Sequence, residues 1–140
     1  MNRAQRYLLA GLSLLLVTAC SNQPDREIMQ GTSPVQLRAY QTREFATADK
    51  LSMLRSVVAT LQDLGFIIDE ANVDLGSITG TKMSGAHIRI TVVVRRRGND
   101  QLLVRASAYY DLTSIEDPEP YQDFFTSLEK AVFLTAHQVD

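Results

Sequence analysis

The sequence contains a single cysteine, two histidines and no tryptophan. One cysteine cannot form an intramolecular disulfide, and with two histidines it cannot complete a tetrahedral zinc site unless carboxylates contribute. Positive charge is not in excess either: 14 Lys and Arg residues against 16 Asp and Glu give a formal net charge of −2. This balance argues against a nucleic-acid partner. With 140 residues, the chain has room for one domain of ordinary size.

Residues arranged for catalysis are scarce as well. There is no Gly-x-Ser-x-Gly motif, and the cluster of glycines at positions 76, 80 and 85 precedes no predicted helix, as a phosphate loop would. His87 and His137 fall on a predicted exposed strand face and at the end of a predicted helix, where solvated side chains are expected. The acidic residues at 69–74 lack the spacing of an EF-hand. The sequence therefore predicts no catalytic residue and no metal site, and an enzyme is the least favoured class.

The first 19 residues have the features of a bacterial signal peptide. Arg3 and Arg6 precede an uncharged, mainly apolar run over residues 7–19. A run of about a dozen residues is too short to cross a hydrocarbon core of roughly 30 Å as a helix. The alternative interpretation of this run is a membrane anchor or a buried helix.

The apolar run ends in Val17-Thr18-Ala19-Cys20. This sequence resembles the lipobox of bacterial lipoproteins, in which a branched apolar residue and two small residues precede the cysteine that receives lipid. The resemblance implies that a signal peptidase recognises the first three of these residues and cleaves before Cys20. It also implies that Cys20 carries an S-diacylglycerol group and an N-acyl chain such as palmitate, with no other cofactor. Several acyl chains anchor firmly, since each buried methylene contributes about 0.8 kcal/mol.

Ser21 follows the predicted lipidation site. In lipoproteins of diderm bacteria an aspartate at this position tends to retain the protein in the inner membrane. The resemblance therefore implies an outer-membrane lipoprotein whose domain faces the periplasm. Because Arg3 and Arg6 leave with residues 1–19, the mature chain would keep 12 basic and 16 acidic residues, a formal charge of −4.

After the lipobox, the pattern predicts a flexible tether over residues 20–34 and one α+β domain over residues 35–138. Apolar stripes with helical spacing predict one helix over 48–64, capped by Thr47 and followed by Gly65, and another from Asp117-Pro118 to about 138. Strands are predicted at residues 35–45, 66–68, 77–82, 87–97 and 101–110, with an acidic turn at 69–76. The order β-α-β-β-β-β-α predicts a two-layer sandwich, an antiparallel sheet of four to five strands with two helices packed on one face.

Alternation along the two longest predicted strands separates an apolar face from a face rich in arginine. The apolar face comprises Ile88, Ile90, Val92, Val94, Leu102, Val104, Ala106, Ala108 and Tyr110. The opposite face carries Arg89, Arg95, Arg97, Arg105 and Tyr109. Arginine binds carboxylate or phosphate through two parallel hydrogen bonds. These residues are a candidate interaction face for an acidic protein surface, peptidoglycan or lipid head groups; the alternative is that they protect the hairpin and keep it soluble.

Residues 61–68, Leu-Gln-Asp-Leu-Gly-Phe-Ile-Ile, are followed by Leu-Gly-Ser-Ile-Thr at 75–79. This pattern is similar to a helix–strand–turn–strand signature of small bacterial lipoproteins and to the repeating domains of BamC-type lipoproteins, accessory subunits of the outer-membrane barrel-assembly machine. The chain departs from the BamC type in having one domain and no long extended N-terminal segment. The resemblance implies this fold and a non-enzymatic role.

These observations lead to one functional expectation and one alternative from another class. The expectation is a non-catalytic outer-membrane lipoprotein that acts as an accessory subunit of an envelope complex for barrel assembly, secretion or efflux. Its lipid anchor would strengthen a weak contact by raising the effective concentration. The alternative is a binding module for peptidoglycan or a lipid.

The lipobox interpretation makes a direct prediction about Cys20. We expect Cys20→Ser to abolish acylation and to remove the protein from outer-membrane fractions, because serine cannot receive the thioether-linked diacylglycerol. The measurement is membrane fractionation together with the mass of the N-terminal peptide. A variant that is still processed normally and still sediments with the outer membrane would contradict the prediction.

Overall fold

Three helices and six strands make up the part of the chain that the computed structural model describes, residues 32–83, 85 and 87–137. In chain order they are α1 (Pro34–Gln41), β1 (Thr42–Phe45), α2 (Lys50–Asp63), β2 (Ile67–Asn72), β3 (Ser77–Met83), β4 (His87–Arg97), β5 (Gln101–Tyr110), β6 (Thr113–Ser114) and α3 (Pro118–His137). The predicted signal peptide with Val17, Thr18 and Ala19, the predicted lipidation site Cys20, Ser21 and the tether up to residue 31 lie outside the described residues.

The strands form one antiparallel sheet in the order β1-β5-β4-β3-β2, and β6 adds a short pairing to β5. Helix α2 contacts β3, β4 and α3, so both long helices belong to the layer beside the sheet. The predicted α+β class and two-layer sandwich are confirmed. The β4–β5 hairpin turns at Gly98, whose φ of +68° is the left-handed conformation that glycine adopts without strain.

The core lies between the sheet and the two long helices. Its largest fully buried side chains are Tyr121, Phe124, Phe125 and Leu128 from α3, Met53, Val57 and Leu61 from α2, and Ile78, Val92, Val94, Leu102 and Val104 from the sheet. Burying each large apolar side chain contributes about 1.5–3 kcal/mol. The predicted apolar face of the hairpin is thus the core face, except at its open end, where Ile88 is only partly buried and Tyr110 is 50% exposed.

The prediction of a strand over residues 35–45 is wrong for most of its length. Residues 34–41 form α1, and only Thr42–Phe45 is extended. The cause is a capping box: the Ser33 hydroxyl accepts from Gln36 N, and the Gln36 side chain accepts from Ser33 N. Pro34 at the first turn favours the same start. Ser33 and Pro34, at the end of the predicted tether, therefore begin the first helix.

Helix α2 begins two residues later than expected, and Asp49 rather than Thr47 is its N-cap. The Asp49 carboxylate accepts a hydrogen bond from Ser52 N at 3.0 Å, and this bond lowers the pKa of Asp49. The Thr47 hydroxyl instead accepts from Asp49 N and so supports the cap. At the other end Gly65 has a φ of +86°, as predicted for a residue that ends a helix.

The predicted acidic turn at residues 69–76 is too long. Strand β2 continues to Asn72 by pairing with β3, with an irregularity between Ile68 and Glu70, and the turn occupies only residues 73–76. Acidic side chains are tolerated in β2 because it is an edge strand whose side chains reach water. Gly76 ends the turn where its carbonyl accepts from Val94 N at 2.8 Å, and a Cβ there would lie 2.5 Å from Val94 O.

The Tyr121 hydroxyl joins four parts of the fold. It donates to Ile115 O at 2.7 Å, in the segment between β6 and α3, and accepts from Ala108 N of β5 at 3.2 Å. It also accepts from Gln41 Nε2 at the end of α1, again at 3.2 Å. Tyr121 is 1% exposed, so these groups exchange hydrogen bonds away from water.

We expect Tyr121→Phe to lower the free energy of unfolding by about 2–3 kcal/mol, because the buried Ala108 N–H and the Gln41 amide lose their acceptor. Urea unfolding followed by circular dichroism measures the effect. Tyr110→Phe is the matched control, since Tyr110 is half exposed, and should change stability by less than about 0.5 kcal/mol. Equal effects of the two substitutions would contradict the role given to the Tyr121 hydroxyl.

Candidate functional site

The structure places all five residues of the predicted interaction face on the side of the sheet away from α2 and α3. The residues that alternate with them along the two strands are buried in the core: Ile90, Val92, Val94, Leu102, Val104, Ala106 and Ala108. We call this side the outer face and define it by Arg89, Arg95, Arg97, Arg105 and Tyr109.

The strand register divides the outer face into two groups. Arg105 is opposite Val93, which makes Arg95 its diagonal neighbour at about 7–8 Å. Arg97 is the next outward residue along β4. Arg89 is opposite Tyr109 and lies about 20 Å from Arg95 along the strand. The structure therefore brings three arginines together near the hairpin turn and leaves the fourth at the other end.

Acidic neighbours neutralise some of the arginines and not others. Arg97 forms an ion pair with Glu44 of β1, and both side chains are solvent-exposed. Arg43 pairs with Glu129 at 2.8 Å between its Nη1 and the carboxylate, and its guanidinium lies 5.1 Å from the centre of the Phe125 ring. Within the described residues, Arg89, Arg95 and Arg105 have no ion-pair or hydrogen-bond partner. These three cations are available to a ligand.

A cleft of about 410 Å³ opens beside Arg105. Outward residues of the hairpin form one side of it and helix α1 the other. Its lining consists of Leu37, Gln41, Val93, Arg105, Ser107, Tyr109 and Ser114. Two residues of the predicted face, Arg105 and Tyr109, therefore line a concave site and not a flat surface.

The contribution of α1 to this cleft does not follow from the strand predicted over residues 35–45, because that strand would place Leu37 and Gln41 in the sheet. The signal that reveals the helix is local: Ser33-Pro34 followed by Gln36 is a capping box with proline at the first turn. The position of α1 beside β5, however, depends on contacts between distant residues. Strand β1, which follows α1 directly, pairs with β5, Leu37 and Tyr40 pack against the core, and Gln41 binds Tyr121 across 80 residues of the sequence.

A second groove, of about 400 Å³, lies between α2 and the turn that follows β2. Its lining is mainly apolar and includes Leu51, Val58, Ala71, Val73 and Ile78. Leu51, in the first turn of α2, is 45% exposed and borders this groove. Arg55 and Gln62 supply polar groups at its rim.

Residues 32–83, 85 and 87–137 contain no group of three or more His, Cys, Asp or Glu side chains that could hold a metal ion. Among the described helices none is both long and apolar enough to span a membrane. His87, at the start of β4, is partly exposed, as expected for a solvated side chain.

Comparison with known proteins adds no assignment. No protein-family model matches the chain, and no curated protein matches it. A function for the domain must therefore be inferred from the geometry of the outer face and its cleft.

Arginines with and without an ion-pair partner should differ in their rate of chemical modification. We expect an arginine-specific dicarbonyl reagent to modify Arg89, Arg95 and Arg105 several-fold faster than Arg43 and Arg97, because a carboxylate covers each of the latter. Peptide mapping by mass spectrometry after short reaction times gives the rates. Equal rates at Arg97 and Arg95 would show that the Glu44 ion pair does not protect its partner.

Proposed function

We propose that this protein is a non-catalytic outer-membrane lipoprotein whose domain docks on a protein complex of the cell envelope. Two independent features support the proposal. The leader and Val17-Thr18-Ala19-Cys20 resemble a lipoprotein signal, and Ser21 favours the outer membrane. The outer face carries arginines that have no ion-pair partner among the described residues, within a chain whose overall charge is negative.

The observation that carries the docking role is the pair Arg95 and Arg105. They are diagonal neighbours on adjacent strands, both are exposed, and neither has a carboxylate partner among residues 32–83, 85 and 87–137. Two nearby cations without a structural partner do little for the stability of the fold. They suit an acidic surface on another protein, which would also benefit from electrostatic steering.

Lipid attachment at Cys20 would supply the rest of the mechanism. A tethered domain meets a membrane-embedded partner at a high effective concentration, so a modest contact is sufficient. Barrel assembly, secretion and efflux machines are the complexes that fit a periplasmic domain on the outer membrane. The resemblance to BamC-type domains implies the fold and a non-enzymatic role and does not choose among them.

The alternative is a module that binds a lipid or peptidoglycan. The groove between α2 and β2 favours a lipid, because Leu51, Val58 and Val73 form a mainly apolar surface open to solvent. Binding of phosphatidylglycerol vesicles or of purified peptidoglycan by the unlipidated Cys20→Ser chain would favour this alternative over a protein partner.

The docking role is tested by reversing the two free charges. We expect Arg95→Glu with Arg105→Glu to reduce cross-links to envelope proteins in intact cells by at least fivefold, because the acidic surface would be repelled. Formaldehyde cross-linking followed by immunoblotting and mass spectrometry measures the loss.

The control for this experiment makes the same change in net charge elsewhere. Arg96→Glu with Lys130→Glu alters two exposed basic residues that lie outside the outer face and outside both grooves, and its cross-links should stay within twofold of the parent chain. Unchanged cross-linking by the first double variant, or equal loss by both, would overturn the docking role.

A further inference from the structure

The cleft beside Arg105 contains polar side chains that make no hydrogen bond or ion pair with other described residues. Arg105, Ser107, Tyr109 and Ser114 all line it, and in the described part of the chain none of these side chains has a hydrogen-bond or ion-pair partner. The nearest acidic residue across the strand pairing is Glu44, opposite Leu103, and Arg97 already holds it. A cation and three hydroxyl groups thus share one concave surface.

Gln41 adds a hydrogen-bond acceptor whose direction is determined by its neighbours. The Tyr121 hydroxyl gives its single hydrogen to Ile115 O, so it can only accept from Gln41. Gln41 Nε2 must therefore face Tyr121, and Oε1 is directed away from it. Gln41 is 5% exposed and lines the cleft, and its Oε1 has no donor among the described residues. This oxygen is ready to accept a backbone N–H.

The apolar part of the cleft is provided by Leu37 from α1 and Val93 from β4. Along β5, the distance from Arg105 to Tyr109 is about 13 Å, enough for three or four residues of an extended chain. The volume of about 410 Å³ lies within the range of roughly 300–1,000 Å³ that is usual for sites of small ligands.

We propose that this cleft binds the C-terminal residues of a partner protein. The terminal carboxylate pairs with Arg105, the last side chain packs between Leu37 and Val93, and the preceding backbone runs past Gln41 and Ser107 towards Tyr109. A chain terminus fits better than an internal acidic residue, because its carboxylate and an apolar side chain leave the same Cα. The inference rests on the proposed docking function and names the chemistry of the partner.

The test uses the full chain and a defined probe, N-acetyl-Ala-Ala-Leu with a free carboxylate. Titration followed by ¹H–¹⁵N NMR should give saturable shifts at Ser107 and Tyr109. The same peptide with a C-terminal amide should bind at least tenfold more weakly, because the charge on Arg105 loses its partner.

Two variants locate the site. Arg105→Gln should weaken binding of the free-carboxylate peptide at least tenfold, and Ser107→Leu should do the same by filling the cleft while keeping the cation. Arg96→Gln is the matched control, because Arg96 is exposed on the same strand pair but lies outside the cleft; its affinity should stay within twofold. Thermal melting verifies that each variant is folded.

Several outcomes overturn the proposal. Equal binding of the carboxylate and amide peptides excludes a carboxylate site, and wild-type binding by Arg105→Gln excludes this cleft. Equal binding of N-acetyl-Ala-Asp-Ala-amide assigns the site to acidic side chains. A further probe is the free-carboxylate peptide with a D-residue at its C-terminus. If this probe binds more tightly than the L-peptide, the cleft is a site for cell-wall stem peptides.

Failure of the peptide-binding proposal can be distinguished from failure of the docking role in cells. If the peptides fail to bind but Arg95→Glu with Arg105→Glu still loses its cross-links, the docking role stands and the C-terminal ligand is wrong. If the peptides bind and the cross-links are unchanged, the cleft is a peptide site and the proposed function of the outer face is wrong.

Discussion

The hydroxyl of Tyr121 is the point on which the arrangement of this domain depends. It is a buried oxygen with one hydrogen, and Ile115 O, Ala108 N and Gln41 Nε2 use its full capacity to donate and accept. Neither β1 nor β6 pairs with β5 at Ala108, so the hydroxyl also satisfies a backbone N–H at a gap in the ladder. Through Gln41 the same atom contacts the end of α1, the helix that forms a wall of the cleft.

The arginines of the outer face differ in whether a carboxylate of the same domain binds them. The outer face carries four arginines, but Glu44 engages Arg97, and on another part of the domain Glu129 engages Arg43. Exposed ion pairs of this kind add little stability, because water already solvates both partners. On the outer face, the Glu44 pair leaves Arg89, Arg95 and Arg105 without an ion-pair partner among the described residues. Of these three, Arg105 lies in a cleft with hydroxyl groups and apolar side chains.

Much of the fold could be predicted because its signals are local. Alternation along β4 and β5 separates the core face from the outer face. Stripes such as Leu51, Leu54, Val58 and Leu61 in one helix, and Tyr121 to Leu128 in the other, indicate the helices. The errors occur where two local signals compete. Residues 35–45 alternate weakly like a strand, yet the capping box at Ser33 starts a helix. Asp69 and Glu70 are typical of turns, yet an edge strand tolerates them because their side chains remain in solvent.

The sequence by itself determined the α+β class, the two faces of the hairpin and the identity of the outward arginines, because side-chain periodicity follows directly from backbone geometry. The lipoprotein prediction at Cys20 also rests on sequence alone, since the motif is read by processing enzymes as a linear segment. Only the tertiary structure decided which arginines are free and where the domain is concave. Those properties depend on contacts between residues far apart in the chain, Gln41 with Tyr121 and Glu44 with Arg97, which no local pattern encodes.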